Sequence, residues 1–323
     1  MQVVVLAGGL SPEREVSIRS GRRIAGALRT ETDFEVIECD IDASLVAHLT
    51  SLKPDCVVPV IHGAAGEDGS LQGVLQALGL THLGSPAESC RLAFDKPVAK
   101  ALIGRSGAAT PPALAFPHST FRELGATDVL DAVVATLGLP LIVKPTKGGS
   151  ALGAALARQS ADLPSAMVGA FAYSEVTMME KWVDGVEIAV SVIDGVDGPQ
   201  ALPIIEIVPA KEIYDYSDRY TAGTTEFFIP ARVSADVASA CANLALLAHR
   251  TLGLRDWSRT DLIVDRAGTP WFLEVNVAPG MTETSLFPQA IQAAGLSLGE
   301  VTADLIRRAV QQSAEDRRDQ HIR

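Results

Sequence analysis

Three oxygen-bearing side chains lie in two short apolar runs late in the chain: Asp261 in the first run, Glu274 and Asn276 in the second. Alternate residues of an extended strand point to one face, so Glu274 and Asn276 share a face. A hairpin through residues 266–269 would bring Asp261 beside them. Two carboxylates and an amide oxygen suit Mg²⁺, which is commonly shared with substrate phosphates. The spacing therefore predicts ATP chemistry without a Walker loop. The alternative is a polar surface hairpin, which the apolar neighbours of both carboxylates disfavour because burying an unpartnered carboxylate is costly.

A glycine-rich loop follows a predicted strand over residues 139–143 and contains Lys144, Gly148, Gly149 and Ser150. Glycine lets backbone N–H groups approach phosphate oxygens closely, and lysine adds a positive charge. An ordinary flexible loop has a similar composition, so this segment alone is a weak signal. Lys96, four residues before another lysine, is either part of a solvated lysine face or a second phosphate ligand.

Further candidates lie next to predicted strands. The run from Glu180 through Lys181 to Val183 passes from a strand into a linker, where it could meet an adenine edge, with Glu187 near the ribose. The alternative is an ordinary edge strand. His62 stands in a glycine-rich loop at the carboxyl end of a strand, where open α/β sheets bind ligands. Glu15 either favours the start of a helix through its charge or binds a substrate ammonium.

Strand and helix patterns alternate over the first 90 residues. The predicted strands are 3–6, 34–37 and 55–61, and the predicted helices are 13–28, 43–52 and 70–78, the first capped by Ser11. This alternation predicts a parallel sheet. Further along, we predict a helix at 94–106, strands at 178–183, 187–193 and 203–208, and a helix at 234–253. The long polar loop 211–225 is more typical of a functional segment than of filler.

The bulk properties exclude several classes of protein. A chain of 323 residues predicts two or three domains, and 27 basic against 39 acidic residues argue against nucleic acid as the main partner. The four cysteines have no CxxC spacing, as in a reduced, cytosolic protein. The N-terminal run predicts a first strand rather than a signal peptide, and the longest apolar run, 237–248, is too short to cross a membrane.

Taken in order, these residues resemble the D-alanine–D-alanine ligases, which are members of the ATP-grasp superfamily. The strongest pieces are His62-Gly-x-x-Gly-Glu-Asp-Gly69-x-x-Gln72-Gly73, Tyr214-Asp-Tyr216 and Glu274-x-Asn276-x-x-Pro-Gly280-Met-Thr. The resemblance implies an α/β fold of three domains: an N-terminal Rossmann-like parallel-sheet domain (1–93) that binds substrate, a central subdomain (94–182), and a C-terminal subdomain (183–323) with the metal site and the lid loop. ATP is then held between the last two.

The resemblance also implies an activity. ATP phosphorylates the carboxylate of one D-alanine, and the amine of a second D-alanine attacks the acyl phosphate to give D-alanyl-D-alanine for peptidoglycan precursors. The implied cofactors are ATP and two Mg²⁺ ions, with Mn²⁺ as a substitute. The implied partners are D-alanine, ATP and a second copy of the chain in a cytoplasmic homodimer, without nucleic acid or membrane.

Residue roles follow from motif positions in the family. Glu15 would bind the first ammonium with His62 nearby, and Glu15, Ser150 and the lid residue Tyr220 would contact one another. Arg259 and the Gly280 N–H would stabilise the oxyanion, and Ser285 and Leu286 would hold the second substrate. The nucleotide ligands would be Lys96, Lys144, Ser150, Glu180, Lys181, Val183 and Glu187, and the metal ligands Asp261, Glu274 and Asn276.

The sequence departs from the family pattern at Arg219, Gly148, Ala151, His82 and Val277, where the family commonly has Lys, Glu, Ser, Tyr and Thr. Tyr220 favours D-alanine over D-lactate by the same resemblance. One alternative is a specialised ATP-grasp ligase, either a D-Ala–D-Ser ligase or one making a dipeptide or cyclised antibiotic. The other is an inactive nucleotide- or amino-acid-binding protein, which the intact charged residues disfavour.

Overall fold

The computed structural model describes residues 1–209 and 225–322, and its first sheet is parallel. The strand order is β2-β1-β3, built from β1 (Gln2–Ala7), α1 (Arg14–Glu31), β2 (Glu35–Asp40), α2 (Leu45–Leu52) and β3 (Cys56–Pro59). Val3, Val4, Val5 and Leu6 are fully buried. A central parallel strand is covered on both faces, which explains its uninterrupted apolar run. The predicted parallel sheet is confirmed.

Four helices lead from this sheet to the next: α3 (Ala64–Glu67), α4 (Ser70–Ala77), α5 (Ala87–Phe94) and α6 (Lys96–Arg105). The Asp95 side chain caps α6 by accepting a hydrogen bond from the Val98 N–H at 3.2 Å. The helix therefore starts two residues later than predicted. Both of its lysines, Lys96 and Lys100, are buried. The alternative of a solvated lysine face is therefore wrong.

The second sheet is antiparallel, in the order β4-β7-β5-β6. Its strands are β4 (Ala113–Pro117), β5 (Leu141–Pro145), β6 (Ala155–Ala157) and β7 (Val176–Lys181). The covering helices are α7 (His118–Leu124), α8 (Ala126–Leu137) and α9 (Leu163–Phe171). Phe121, Val133, Leu163 and Met179 belong to one apolar cluster that is confined to this part of the chain.

The third sheet is antiparallel in the order β11-β10-β8-β12-β13, with β9 paired to β8. Its strands are β8 (Gly185–Gly195), β9 (Gly198–Ala201), β10 (Ile205–Pro209), β11 (Thr225–Phe228), β12 (Trp257–Asp265) and β13 (Pro270–Asn276). Three further helices are α10 (Ala235–Thr251), α11 (Leu286–Ala293) and α12 (Leu298–Ile322).

The end of the chain packs back on its beginning. Met281, Phe287 and Ile306 share one apolar cluster with Val5 and Ile24 of the first sheet and its helix. Helix α12 lies against α1. The three sheets fall within the three predicted segments, and the domain boundaries stay predictions. No helix in the described ranges is long and apolar enough to span a bilayer.

Candidate active site

The hairpin of β12 and β13 carries the predicted metal ligands. Asp261 lies opposite Glu274, and Arg259 lies opposite Asn276, with an irregularity in the register after Asp261. The hairpin prediction is confirmed. Within residues 1–209 and 225–322, no three carboxylate, imidazole or thiolate groups converge as a metal cluster, and the predicted set has an amide as its third donor.

Each of these three side chains has a protein partner. Asp261 accepts two hydrogen bonds from the Arg259 guanidinium, at 2.7 and 2.8 Å, and both residues are buried. Glu274 pairs with Lys96 at 3.1 Å, and the Asn276 side-chain oxygen accepts from the Ala278 N–H at 2.8 Å. A bidentate arginine–carboxylate pair fixes both groups in direction. The pairing offsets part of the cost of burying these charges.

A cleft lies between the second and third sheets. Apolar side chains such as Ile142, Ile263 and Leu273 form part of its wall. Six of the seven predicted nucleotide ligands line it, namely Lys96, Lys144, Glu180, Lys181, Val183 and Glu187. An apolar slot with a few charged groups at one end is typical of a site for a planar base and its phosphates.

Glu180 is the most deeply buried charge of this cleft, with 1% of its surface exposed. It pairs with Lys144 at 2.8 Å and with Lys100 at 2.5 Å. Burial alone raises the pKa of the Glu180 carboxyl, but the two lysines outweigh it and hold that pKa below its ordinary value. Burial lowers the pKa of Lys100 to about 8 despite the attraction of Glu180. For Lys144, burial is outweighed by Glu180 and Glu274, so its pKa is raised.

A second cleft opens beside the first sheet. It is lined by all the predicted substrate ligands except one, namely His62, Arg259, Gly280, Ser285 and Leu286, and also by Ser150 and Asn276. The two clefts share Lys96, Gly148, Gly149 and Glu274. They therefore meet where the glycine-rich loop faces the hairpin.

The structure does not place Glu15, the predicted ammonium ligand, in the second cleft. Helix α1 begins at Arg14, so Glu13 precedes the first turn, is 5% exposed and lines the second cleft. Glu15 is exposed and does not line it. Ser150, predicted to contact Glu15, instead donates a hydrogen bond to the Glu13 carboxylate. Both carboxylates lie in one motif two residues apart, and the structure brings only Glu13 into the cleft.

His62 is held between two elements. One ring nitrogen lies 3.1 Å from the Ala278 carbonyl oxygen and the other 3.3 Å from the Ser20 hydroxyl, which accepts from the Met281 N–H at 3.1 Å. Burial lowers the pKa of His62 to about 4, so the ring is neutral at pH 7. These bonds fix the loop that contains Gly280.

Gly280 and Ser285 approach each other closely. A Cβ added at Gly280 would lie 2.7 Å from the Ser285 hydroxyl oxygen, so no larger residue fits without a shift. The Ser285 hydroxyl lies 2.8 Å from that of Thr282 and accepts from the Thr282 N–H at 3.0 Å. Tyr220 and Arg219 lie outside the described residues.

Glu67 lines the second cleft, and the sequence reasoning did not single it out. It is 6% exposed and accepts a hydrogen bond from the Gly63 N–H at 2.8 Å. Burial, helped by the charge of Glu13, raises its pKa to about 8. Glu67 lies in the glycine-rich motif after His62, which could have marked it as a candidate. The sequence does not show that its side chain is buried.

Glu67→Gln is expected to change how stability depends on pH. The folded pKa of about 8 lies above the ordinary 4.5, so between these values the folded state holds a proton that the unfolded chain has lost. Stability contributed by Glu67 therefore falls as pH rises through this window. In denaturant unfolding, the free energy of unfolding of the variant relative to that of the parent should rise by a few kcal/mol from about pH 5 to about pH 8.5. The exposed control Glu35→Gln should differ from the parent in stability by the same amount at both pH values. If Glu67→Gln also shows the same difference at both pH values, the prediction is contradicted.

Comparison with known proteins identifies the family. The model of the D-ala D-ala ligase C-terminus matches residues 102–307. A D-alanine–D-alanine ligase of Gloeobacter violaceus is 40% identical over 311 residues, covering 96% of this chain and 100% of the relative. The chain belongs to the D-alanine–D-alanine ligase family. The resemblance inferred from the ordered motifs is thereby confirmed.

Solved structures of the ligase family have the same fold. The VanG D-Ala:D-Ser ligase from Enterococcus faecalis superposes with a TM-score of 0.84 at 26% identity, over 95% of this chain and 99% of that one. A D-alanine–D-alanine ligase from Bacillus anthracis complexed with ATP gives 0.81 at 26% identity, over 98% and 99%. The α/β, three-domain ATP-grasp fold predicted from the family motifs is confirmed.

Proposed function

We propose that this chain is an ATP-dependent ligase that joins two D-alanines into D-alanyl-D-alanine, a precursor unit of peptidoglycan. One observation carries the proposal: an apolar cleft with nucleotide-type residues and a polar cleft with amino-acid-type residues meet at Lys96, Gly148, Gly149 and Glu274. A phosphoryl group and a carboxylate can reach each other only at such a junction. The family membership and the ATP bound to the Bacillus anthracis relative support the choice of nucleotide.

The residues divide the work by charge. Lys96 lines both clefts and Lys144 lines the nucleotide cleft, and both would pair with the nucleotide phosphates. Glu13 would bind the ammonium of the first D-alanine, and Ser285 with Leu286 would hold the second. Arg259 and the Gly280 N–H would stabilise the oxyanion that forms when the second amine attacks the acyl phosphate. Catalysis then rests on positioning and charge neutralisation.

The donor set of the hairpin fits magnesium. Asp261, Glu274 and Asn276 present hard oxygen donors on neighbouring strands, and Glu274 lies where the two clefts meet. These residues would hold two Mg²⁺ ions, with Mn²⁺ as a substitute. When bound, the ions supply neutralisation of phosphate charge. Lys96 already neutralises Glu274 in the protein alone, at 3.1 Å.

The proposal is tested with purified protein, ATP, Mg²⁺ and a panel of amino acids. With D-alanine alone, the chain should release one phosphate for each D-alanyl-D-alanine formed. Mixtures of D-alanine with D-serine or D-lactate test the second-substrate alternative, which the VanG relative makes worth measuring. No dipeptide from D-alanine, together with turnover on another pair, overturns the proposal. The mass of the protein in solution tests the expected homodimer separately.

A further inference from the structure

Glu180 is a buried carboxylate with two lysines, and only one of them faces the nucleotide cleft. Lys144 lines that cleft, whereas Lys100 does not and lines instead a cavity beside Ala101 and Met178. Lys100 extends from α6 and also donates to the Phe272 carbonyl at 3.2 Å. Its side chain is 6% exposed. The two cations therefore pair with different oxygens of one carboxylate, Lys144 with Oε1 and Lys100 with Oε2.

We infer that Lys100 is a positioning residue for nucleotide binding: it neutralises Glu180 from outside the cleft, so that Lys144 can pair with a phosphate. This inference rests on the proposed function of the cleft. A buried carboxylate without a cation is costly, and the Lys144 ammonium would have to neutralise both the Glu180 carboxylate and a nucleotide phosphate. With Lys100 in place, Glu180 keeps a counter-ion when Lys144 turns to the phosphate. The group of one acid and two lysines also carries a net positive charge toward an anionic ligand.

Without Lys100, Lys144 should therefore stay paired with Glu180 and be less available to a phosphate. Lys100→Met keeps an unbranched side chain and removes the charge. ATP affinity, measured by titration calorimetry without any amino acid, should fall by roughly thirtyfold or more, because Lys144 could then reach a phosphate only by leaving the buried Glu180 carboxylate without a cation. The KM for ATP should rise more than kcat falls. Lys53→Met, at an exposed lysine far from both clefts, is the matched control and should bind ATP as the parent does.

A double-mutant cycle separates charge compensation from packing. In the Glu180→Gln background there is no carboxylate to neutralise, so adding Lys100→Met should change ATP affinity by less than about threefold. Any contact that Glu180 makes with the base is lost in both arms and cancels. An equal loss in both backgrounds overturns the inference, because Lys100 then acts by packing alone.

The outcome is decisive even if a variant does not fold. Lys100→Met alone removes one of the two lysines that pair with the buried Glu180 carboxylate, whereas the double variant removes the carboxylate as well, and replacing a buried ion pair by neutral groups is often tolerated. Folding of the double variant with misfolding of Lys100→Met supports charge compensation, and misfolding of both contradicts it. Absence of D-alanyl-D-alanine synthesis by the parent would overturn the proposed function, whereas the cycle needs only ATP binding.

Discussion

Glu274→Gln is expected to lower ligase turnover by roughly a hundredfold to a thousandfold, the cost of removing one charge that acts on a transferring group. Glu274 borders both clefts and pairs with Lys96 at 3.1 Å. Glutamine has nearly the same shape, but it removes the negative charge that balances Lys96 and is a weaker ligand for a hard cation. The loss should appear in kcat at saturating Mg²⁺ and D-alanine.

The control for this variant is Glu35→Gln, the same chemical change at an exposed position on β2. It should leave turnover at the parent level. Thermal melting of both variants, measured without ligands, checks that the fold is intact. If Glu274→Gln turns over at the parent rate in saturating Mg²⁺, Glu274 is neither a metal ligand nor part of the junction.

Glu13→Gln is expected to reduce kcat/KM for the first D-alanine by roughly a hundredfold, because a buried charge that pairs with an ammonium is lost. Glu13 is 5% exposed, lines the second cleft and accepts a hydrogen bond from Ser150. The affinity for ATP should change little, since Glu13 does not line the nucleotide cleft. Steady-state kinetics with varied D-alanine and fixed ATP measures the effect.

Glu15→Gln is the matched comparison within the same helix start. Glu15 is exposed and does not line either cleft, so its variant should stay within about threefold of the parent. A large loss in Glu15→Gln with a small one in Glu13→Gln would restore the residue that the sequence motif first indicated. Comparable losses in both would contradict both assignments.

These two carboxylates show how far the sequence alone can be taken. The hairpin of Asp261 and Glu274 was predictable because strand periodicity places side chains by simple alternation. Glu13 and Glu15 were not distinguishable, because two residues correspond to a rotation of about 200° around a helix and the helix start was not known that closely. The motif contains both carboxylates, and the structure shows that Glu13 is the one that lines the second cleft.

Burial of single polar residues was the other element that could not be predicted. The pair Lys96 and Lys100 has the same spacing as an exposed lysine face, and only the packing of α6 under β13 turns both inward. Glu67 likewise lies in a motif rich in glycine, which has no periodicity to report its direction. Both depend on contacts between segments far apart in the sequence.

The apolar cluster that joins residues 281–306 to Val5 and Ile24 has a consequence for how the chain folds during synthesis. The first sheet leaves the ribosome early, but part of its core comes from the segment 281–306, so that core is complete only after helix α11 and the first turns of α12 have emerged. The apolar cluster of the second sheet contains only residues from that part of the chain, so we expect this sheet to fold as soon as residue 181 has emerged. We expect hydrogen exchange to show the same division, with the middle of the chain opening separately and the two ends opening together.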